Sequence, residues 1–204
     1  MKKLVTVLVL LIAATAANGQ SFCNAGAITV TDGAANNAVP YPSPIAVSGS
    51  FGNISTVTVT LNGFSHPFPD DIGIVLVGPG GQALLLQDGC GDDPDMVGVT
   101  YTLDSAAAAN LPDVTAWAAG TYKPSAYYLN DSFPAPGPLT TYSNPGPVGS
   151  GTATFASVFG GTTANGTWNL FVRDFVTGDG GGFSGGWCIA FTGTPVDLQS
   201  FTAD

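Results

Sequence analysis

The 204-residue chain contains no glutamate. Its fourteen acidic residues are all aspartate, a poor helix former that competes for backbone hydrogen bonds and favours turns, caps and oxygen-rich metal loops. These acids are therefore expected in loops. Positive charge is scarcer still: of four Lys and Arg residues, Lys2 and Lys3 stand at the N-terminus and only Lys123 and Arg173 follow. So anionic a chain cannot neutralise a phosphate backbone and is repelled by anionic lipid, which argues against nucleic acid and membrane-surface partners. A single histidine, His66, and three cysteines without a CxxC spacing are too few ligands for a structural zinc site. The apolar run from Leu4 to Ala14 is too short to span a bilayer. Behind a basic start and ahead of small residues at Ala17 and Gly19, it has the layout of a secretory signal peptide. The expected organisation is a signal at 1–19, one domain at 20–194 and a tail at 195–204, with the protein secreted to the extracellular side and not inserted in a membrane. An oxidising compartment permits disulfides, and three cysteines suggest one bridge and one free thiol.

What is present is alternation. The stretches around Val57, Val59 and Leu61, around Val97, Val99, Tyr101 and Leu103, around Trp168, Leu170 and Val172, and around Trp187, Ile189 and Phe191 read as half-buried strands of period two. Trp168 and Trp187 fall on the inward phase of what read as neighbouring strands. The denser runs IGIVLV (72–77) and ALLLQ (83–87), joined by a Gly-rich turn, read as a central hairpin. Helix signals are nearly absent, the best being 104–113, where Asp104 or Ser105 would cap one or two turns before Pro112. The Pro, Gly and Tyr-rich stretch 124–151 reads as a long surface excursion. Many short strands with Gly and Pro turns specify an all-β, jelly-roll-like β-sandwich with little helix. If the first and last strands of such a fold lie side by side, Cys23 bridges Cys188.

Two stretches, LNGFSHPFPDDIGIVLVGPGGQALLL (61–86) and NGTWNLFVRDFVTGDGGGFSGGWCIAFTG (165–193), carry a family resemblance. They resemble the P domain, or P/Homo B domain, of subtilisin-like proprotein convertases in its secreted bacterial form, through His66, Asp71, Ile72, Pro79 and Gly80 in the first block and Gly166, Trp168, Asp174, Asp179, Gly180 and Trp187 in the second. The resemblance spans residues 22 to 194 and implies a galactose-binding-domain-like sandwich. It also implies a non-catalytic module that stabilises or regulates an adjoining subtilisin-like serine endopeptidase. The expected partners are such a protease or another extracellular protein.

The chemistry open to these residues is limited. A Ser-His-Asp triad would need His66 as its base, and the sequence shows no GxSxG. His66 is read as scaffold, bonded to backbone or to an aspartate, with Trp168 and Trp187 as core. Asp70 and Asp71, adjacent in a segment read as extended, should point to opposite faces. With Asp174 and Asp179 they form a candidate calcium set, as bacterial P domains imply, and Asp88, Asp92, Asp93 and Asp95 form a second. Trp117, Tyr122, Tyr127 and Tyr128 are candidates for stacking on a glycan, the rival role being an extracellular binding or adhesive module. Asn53, Asn130 and Asn165 each begin an N-x-S/T sequon.

Overall fold

A computed structural model describes residues 19–32, 36–49 and 52–193. The expected signal peptide, save Gly19, and the 195–204 tail lie outside the described residues. Two sheets face one another. The first is built around β4 (Ile54–His66), which takes β7 (Met96–Asp104) along one edge and both β12 (Trp187–Gly193) and β11 (Gly181–Phe183) along the other. Outside these pair β1 (Gly19–Asn24) on β12, β2 (Ile28–Val30) on β11 and β8 (Thr121–Tyr122) on β7. The second sheet runs β3 (Ser43–Val47), β10 (Gly166–Asp174), β5 (Ile72–Val77), β6 (Ala83–Asp88) and β9 (Ser125–Ala126). Pairing is antiparallel apart from the two-residue joins of β8 and β9. The result is an all-β sandwich, and the period-two pattern explains why: each strand has one apolar face to bury.

Val57, Val59 and Leu61 of β4 and Trp187, Ile189 and Phe191 of β12 pack against Trp168, Leu170 and Val172 of β10 in one core. The two tryptophans thus stand on opposing sheets and not on neighbouring strands, because the chain crosses between sheets after β10. The ring of Trp168 lies 5.1 Å from that of Phe191. Its indole N–H donates to the Ala164 carbonyl at 2.8 Å, and that of Trp187 to Ser43 Oγ at 3.1 Å, so neither buried donor is left unpaired. On the outer face of the second sheet, Val75, Leu85, Ala126, Phe133 and Phe171 form a smaller cluster beneath the 127–151 segment. That stretch is therefore a cover as well as an excursion. β5 and β6 form the expected hairpin, closed by the Gly78 N–H donating to the Gln82 carbonyl at 2.9 Å.

The bridge joins Cys23 to Cys188 as expected, between cross-strand partners of β1 and β12, while Cys90 is buried and free. Two further expectations fail. Val97 is 79% exposed, because the β4–β7 ladder shifts register twice beyond Leu61 and reverses the phase there. Residues 104–113 hold no helix: Asp104 ends β7, and its side chain accepts from the Ala106 N–H at 2.8 Å in a tight turn. The one α-helix described, α1 (Phe155–Phe159), is capped instead by Thr154 and Ser157, each side chain accepting the other's backbone N–H.

Candidate functional site

His66 is the last residue of β4 and Asp174 the last of β10, so one comes from each sequence block and each sheet. Their side chains meet where the sheets end, with Nε2 3.3 Å from Asp174 Oδ2 and both groups almost fully buried. The contact lies off the axis of a well-aligned hydrogen bond and is mainly electrostatic. On the other side of the ring, Nδ1 is 2.8 Å from the Phe68 carbonyl and 3.2 Å from the Phe68 N–H. The shorter contact assigns the Nδ1 proton to the carbonyl. Burial lowers the imidazole's proton affinity, but contact with Asp174, the Phe68 carbonyl and the charge of Asp71 outweigh it, and the pKa is raised. Both ring nitrogens thus face protein groups, Nε2 the Asp174 carboxylate and Nδ1 the Phe68 backbone.

Local sequence explains the geometry. Pro67 and Pro69 break β4, and Pro69–Asp71 forms a 3₁₀ turn in which the Asp71 N–H donates to the Phe68 carbonyl at 3.1 Å. The Asp70–Asp71 pair therefore sits in a helical turn and not in the extended segment expected. Across the turn, the Phe175 N–H donates to the Asp71 carbonyl at 2.8 Å. A Cβ on Gly181 would stand 2.0 Å from the Ser65 carbonyl and 2.9 Å from His66 Cδ2, and Gly182 has φ +126°. The Gly-rich run after Asp179 is thus the price of backbone approaching His66 this closely.

The proposed calcium set divides. Asp71 feels Asp174, His66 and Asp179, and burial, followed by the charge of Asp70, pushes its carboxyl up to about 6. Asp70 turns the other way, towards the Tyr128 hydroxyl at 3.5 Å and the charges of Asp92 and Asp93. Asp174 has Oδ2 against His66 and accepts the Val176 N–H on Oδ1 at 2.9 Å. A carboxylate so engaged fits an ion pair with His66. Among the described residues no group of three or more His, Cys, Asp or Glu side chains is arranged to hold a metal. In the second set, Asp92, Asp93 and Asp95 are exposed, whereas Asp88 is buried away from them.

The aromatic candidates do not form a platform. Trp117 is buried and stacked on Phe64, while Tyr122 and Tyr127 are half-buried with their hydroxyls donating to the Ala118 and Leu111 carbonyls. Tyr128 alone is exposed, its ring lying over Gly89.

One feature escaped sequence reading. β4, β6 and β10 end, and β5, β7 and β11 begin, at the same end of the sandwich. Asp32, Asp70, Asp71, Asp88, Asp92, Asp93, Asp95, Asp113, Asp131, Asp174 and Asp179 all gather there, and of the described aspartates only Asp104 stands elsewhere. Phe68, Val97, Val114, Tyr128 and Val176 are exposed among them.

No protein-family model and no curated protein matches the chain. Among solved structures it is similar to chains in the crystal structures of the Aeromonas sobria serine protease with the chaperone ORF2 (14% identity, TM-score 0.41) and of that serine protease (14% identity, TM-score 0.40). The matches cover 88% and 87% of this chain and 27% and 26% of the other chains, so it spans about a quarter of their length.

Proposed function

We propose that the chain is a secreted, non-catalytic module like a P domain, which stabilises or regulates a subtilisin-like serine endopeptidase by binding it. The observation that carries this reading is the His66–Asp174 pair. It joins the two sequence blocks on which the resemblance rests, and it engages the only imidazole of the chain with a buried carboxylate. The link to proteolysis rests on those blocks. A second reading, an extracellular binding module for other proteins, draws on the acidic end studded with exposed apolar side chains, which suits a basic surface with apolar patches.

The test combines two assays. Peptide and ester substrates should be left intact by the wild type and by His66→Asn. Turnover by the wild type that disappears in a folded His66→Asn protein would overturn the non-catalytic reading. A purified subtilisin-like protease should bind the module and gain thermal stability. Failure to bind such a protease, with capture of an unrelated basic protein, would favour the second reading.

A further inference from the structure

Of the two cations beyond the N-terminus, Arg173 is engaged: its Nη1 donates to the Ser132 carbonyl at 2.9 Å and its guanidinium lies over the Phe175 ring. The ammonium of Lys123, by contrast, has no hydrogen bond and no carboxylate within ion-pair distance among the described residues, in a chain with fourteen aspartates. Lys123 is half-buried and lines a mostly polar hollow of about 280 Å³ together with Ser105, Asn110, Thr152 and Thr154. A second hollow of about 250 Å³, mostly apolar, adjoins the first across Ser105 and Thr154 and is lined by Val57, Ala106, Phe155 and Ala156. Both lie past the end of β7, apart from the acidic end.

The polar hollow is braced by its own backbone. The Lys123 N–H donates to the Ala109 carbonyl at 2.8 Å and the Lys123 carbonyl accepts from Ser125 Oγ at 2.9 Å, which fixes the main chain beneath the ammonium. In the wall that carries Pro145 and Pro147, Asn144 accepts the Gly146 N–H at 2.8 Å and donates to the Val148 carbonyl at 2.9 Å. The hydroxyls of Ser105 and Thr154 accept the Phe155 and Ser157 N–H groups at 3.0 Å each, leaving each O–H to donate. Asp104 also lines the apolar hollow, but its Oδ1 is taken by the Ala106 N–H and it stays outside ion-pair distance of Lys123.

We propose that the two hollows together receive the C-terminus of a peptide chain, its carboxylate on Lys123 and the Ser105 and Thr154 hydroxyls, its last, apolar side chain beside Val57 and Phe155. Charge sets the class of ligand. One lysine matches one carboxylate, whereas a chain of net charge −10 repels a phosphate or a polyacid, which a single lysine does not offset. The adjoining apolar hollow selects an acid with an apolar group next to its carboxylate. The Asn110 amide and the Thr152 hydroxyl, both exposed at the rim, match the N–H and C=O groups of a peptide backbone and would find no partner on an alkyl acid. This site is remote from the His66–Asp174 pair and does not depend on the proposed protease partner.

The test titrates acetyl-glycyl-glycyl-leucine into the chain by calorimetry, as the free acid and as its C-terminal amide, with 4-methylpentanoate as the alkyl acid. One free-acid peptide per chain should bind, and the amide should bind about tenfold more weakly or worse, since it lacks the charge. An aspartate in place of the peptide's leucine should weaken binding to a similar extent. Lys123→Gln should lower the affinity about tenfold, Lys123→Arg should retain most of it, and Asp104→Asn should raise it by removing a nearby like charge. Thermal unfolding checks that each variant is folded; should Lys123→Gln fail to fold, the comparison of acid with amide carries the test. Equal binding of acid and amide, unchanged affinity in Lys123→Gln, or no binding of the free acid at millimolar concentration would overturn the site. Binding of 4-methylpentanoate as tight as that of the peptide would overturn a peptide as its occupant.

Discussion

Replacing Cys23 and Cys188 with alanine opens a cross-link between residues 165 apart in sequence. In the chain-entropy treatment, a loop of that length restricts the unfolded ensemble by about 5 kcal/mol, which the open chain regains. For a domain of this size the loss corresponds to a fall in Tm of about 10–20 °C. The structure supplies a competing outcome. β1 is an edge strand whose alternate residues are exposed, and its main apolar anchor is Phe22, packed 6.2 Å from Phe191. If β1 detaches before the rest unfolds, the measured loss is capped by the free energy that docks it. Thermal unfolding and hydrogen exchange of the β1 amides separate the two. A large Tm fall with β1 still protected gives the full entropic effect; a small one with fast exchange confined to β1 gives local fraying. An unchanged Tm with β1 still protected would refute both accounts.

Trp168→Ala should destabilise by about 3–5 kcal/mol through the cavity it leaves, and also strands the Ala164 carbonyl; chemical denaturation should show an earlier midpoint, and none would refute the core assignment. The pH dependence has a definite sign. Because the folded pKa of His66 is raised, its contribution is complete below about pH 6.5 and is lost as the pH rises through the folded value. Asp71, raised from 3.8 to about 6, acts in the same sense, losing its contribution between those two values. Asp88, raised from 3.8 to about 8 by burial, acts in the same sense across the whole window. Tm should therefore fall from pH about 5 to about 8, Asp71→Asn lessening the acid limb and His66→Gln the neutral one; a Tm that rises across that range would contradict the assignment. Gly181→Ala places a methyl 2.0 Å from the Ser65 carbonyl and should cost about 1–3 kcal/mol or more, read from denaturant midpoints; a neutral result would show that the β4–β11 contact gives way easily.

Much of this was legible in the sequence where a local rule decided the matter. Alternation identified the inward residues of β4, β10 and β12, and the Gly-rich turn joined β5 to β6. The disulfide followed from the relation of first and last strands alone. What could not be read depended on parity. A bulge of one residue reverses every side chain beyond it; Gly98, at φ +65° inside β7, is the one local sign of it in MVGV, and LLLQD carries none. Val97, read as core, became exposed; Asp88, read with Asp92, Asp93 and Asp95 as a loop acid, became buried. Asp131 lies in a stretch rich in Pro and Tyr, where an aspartate reads as one more turn residue. Its neighbour Phe133, fully buried, was the available hint that this stretch returns to the body of the protein.

The gathering of aspartates at one end follows from the same bookkeeping of strand direction. Acids placed before β5, at the end of β6, before β7 and after β10 are scattered in sequence, yet antiparallel pairing brings those termini together. Surface charges such as Asp92 and Asp93 act on a partner through water and are screened beyond about 8 Å at physiological salt. Salt should therefore weaken docking of a basic partner at this end, and an affinity unchanged between low and physiological ionic strength would refute a role for these acids in it.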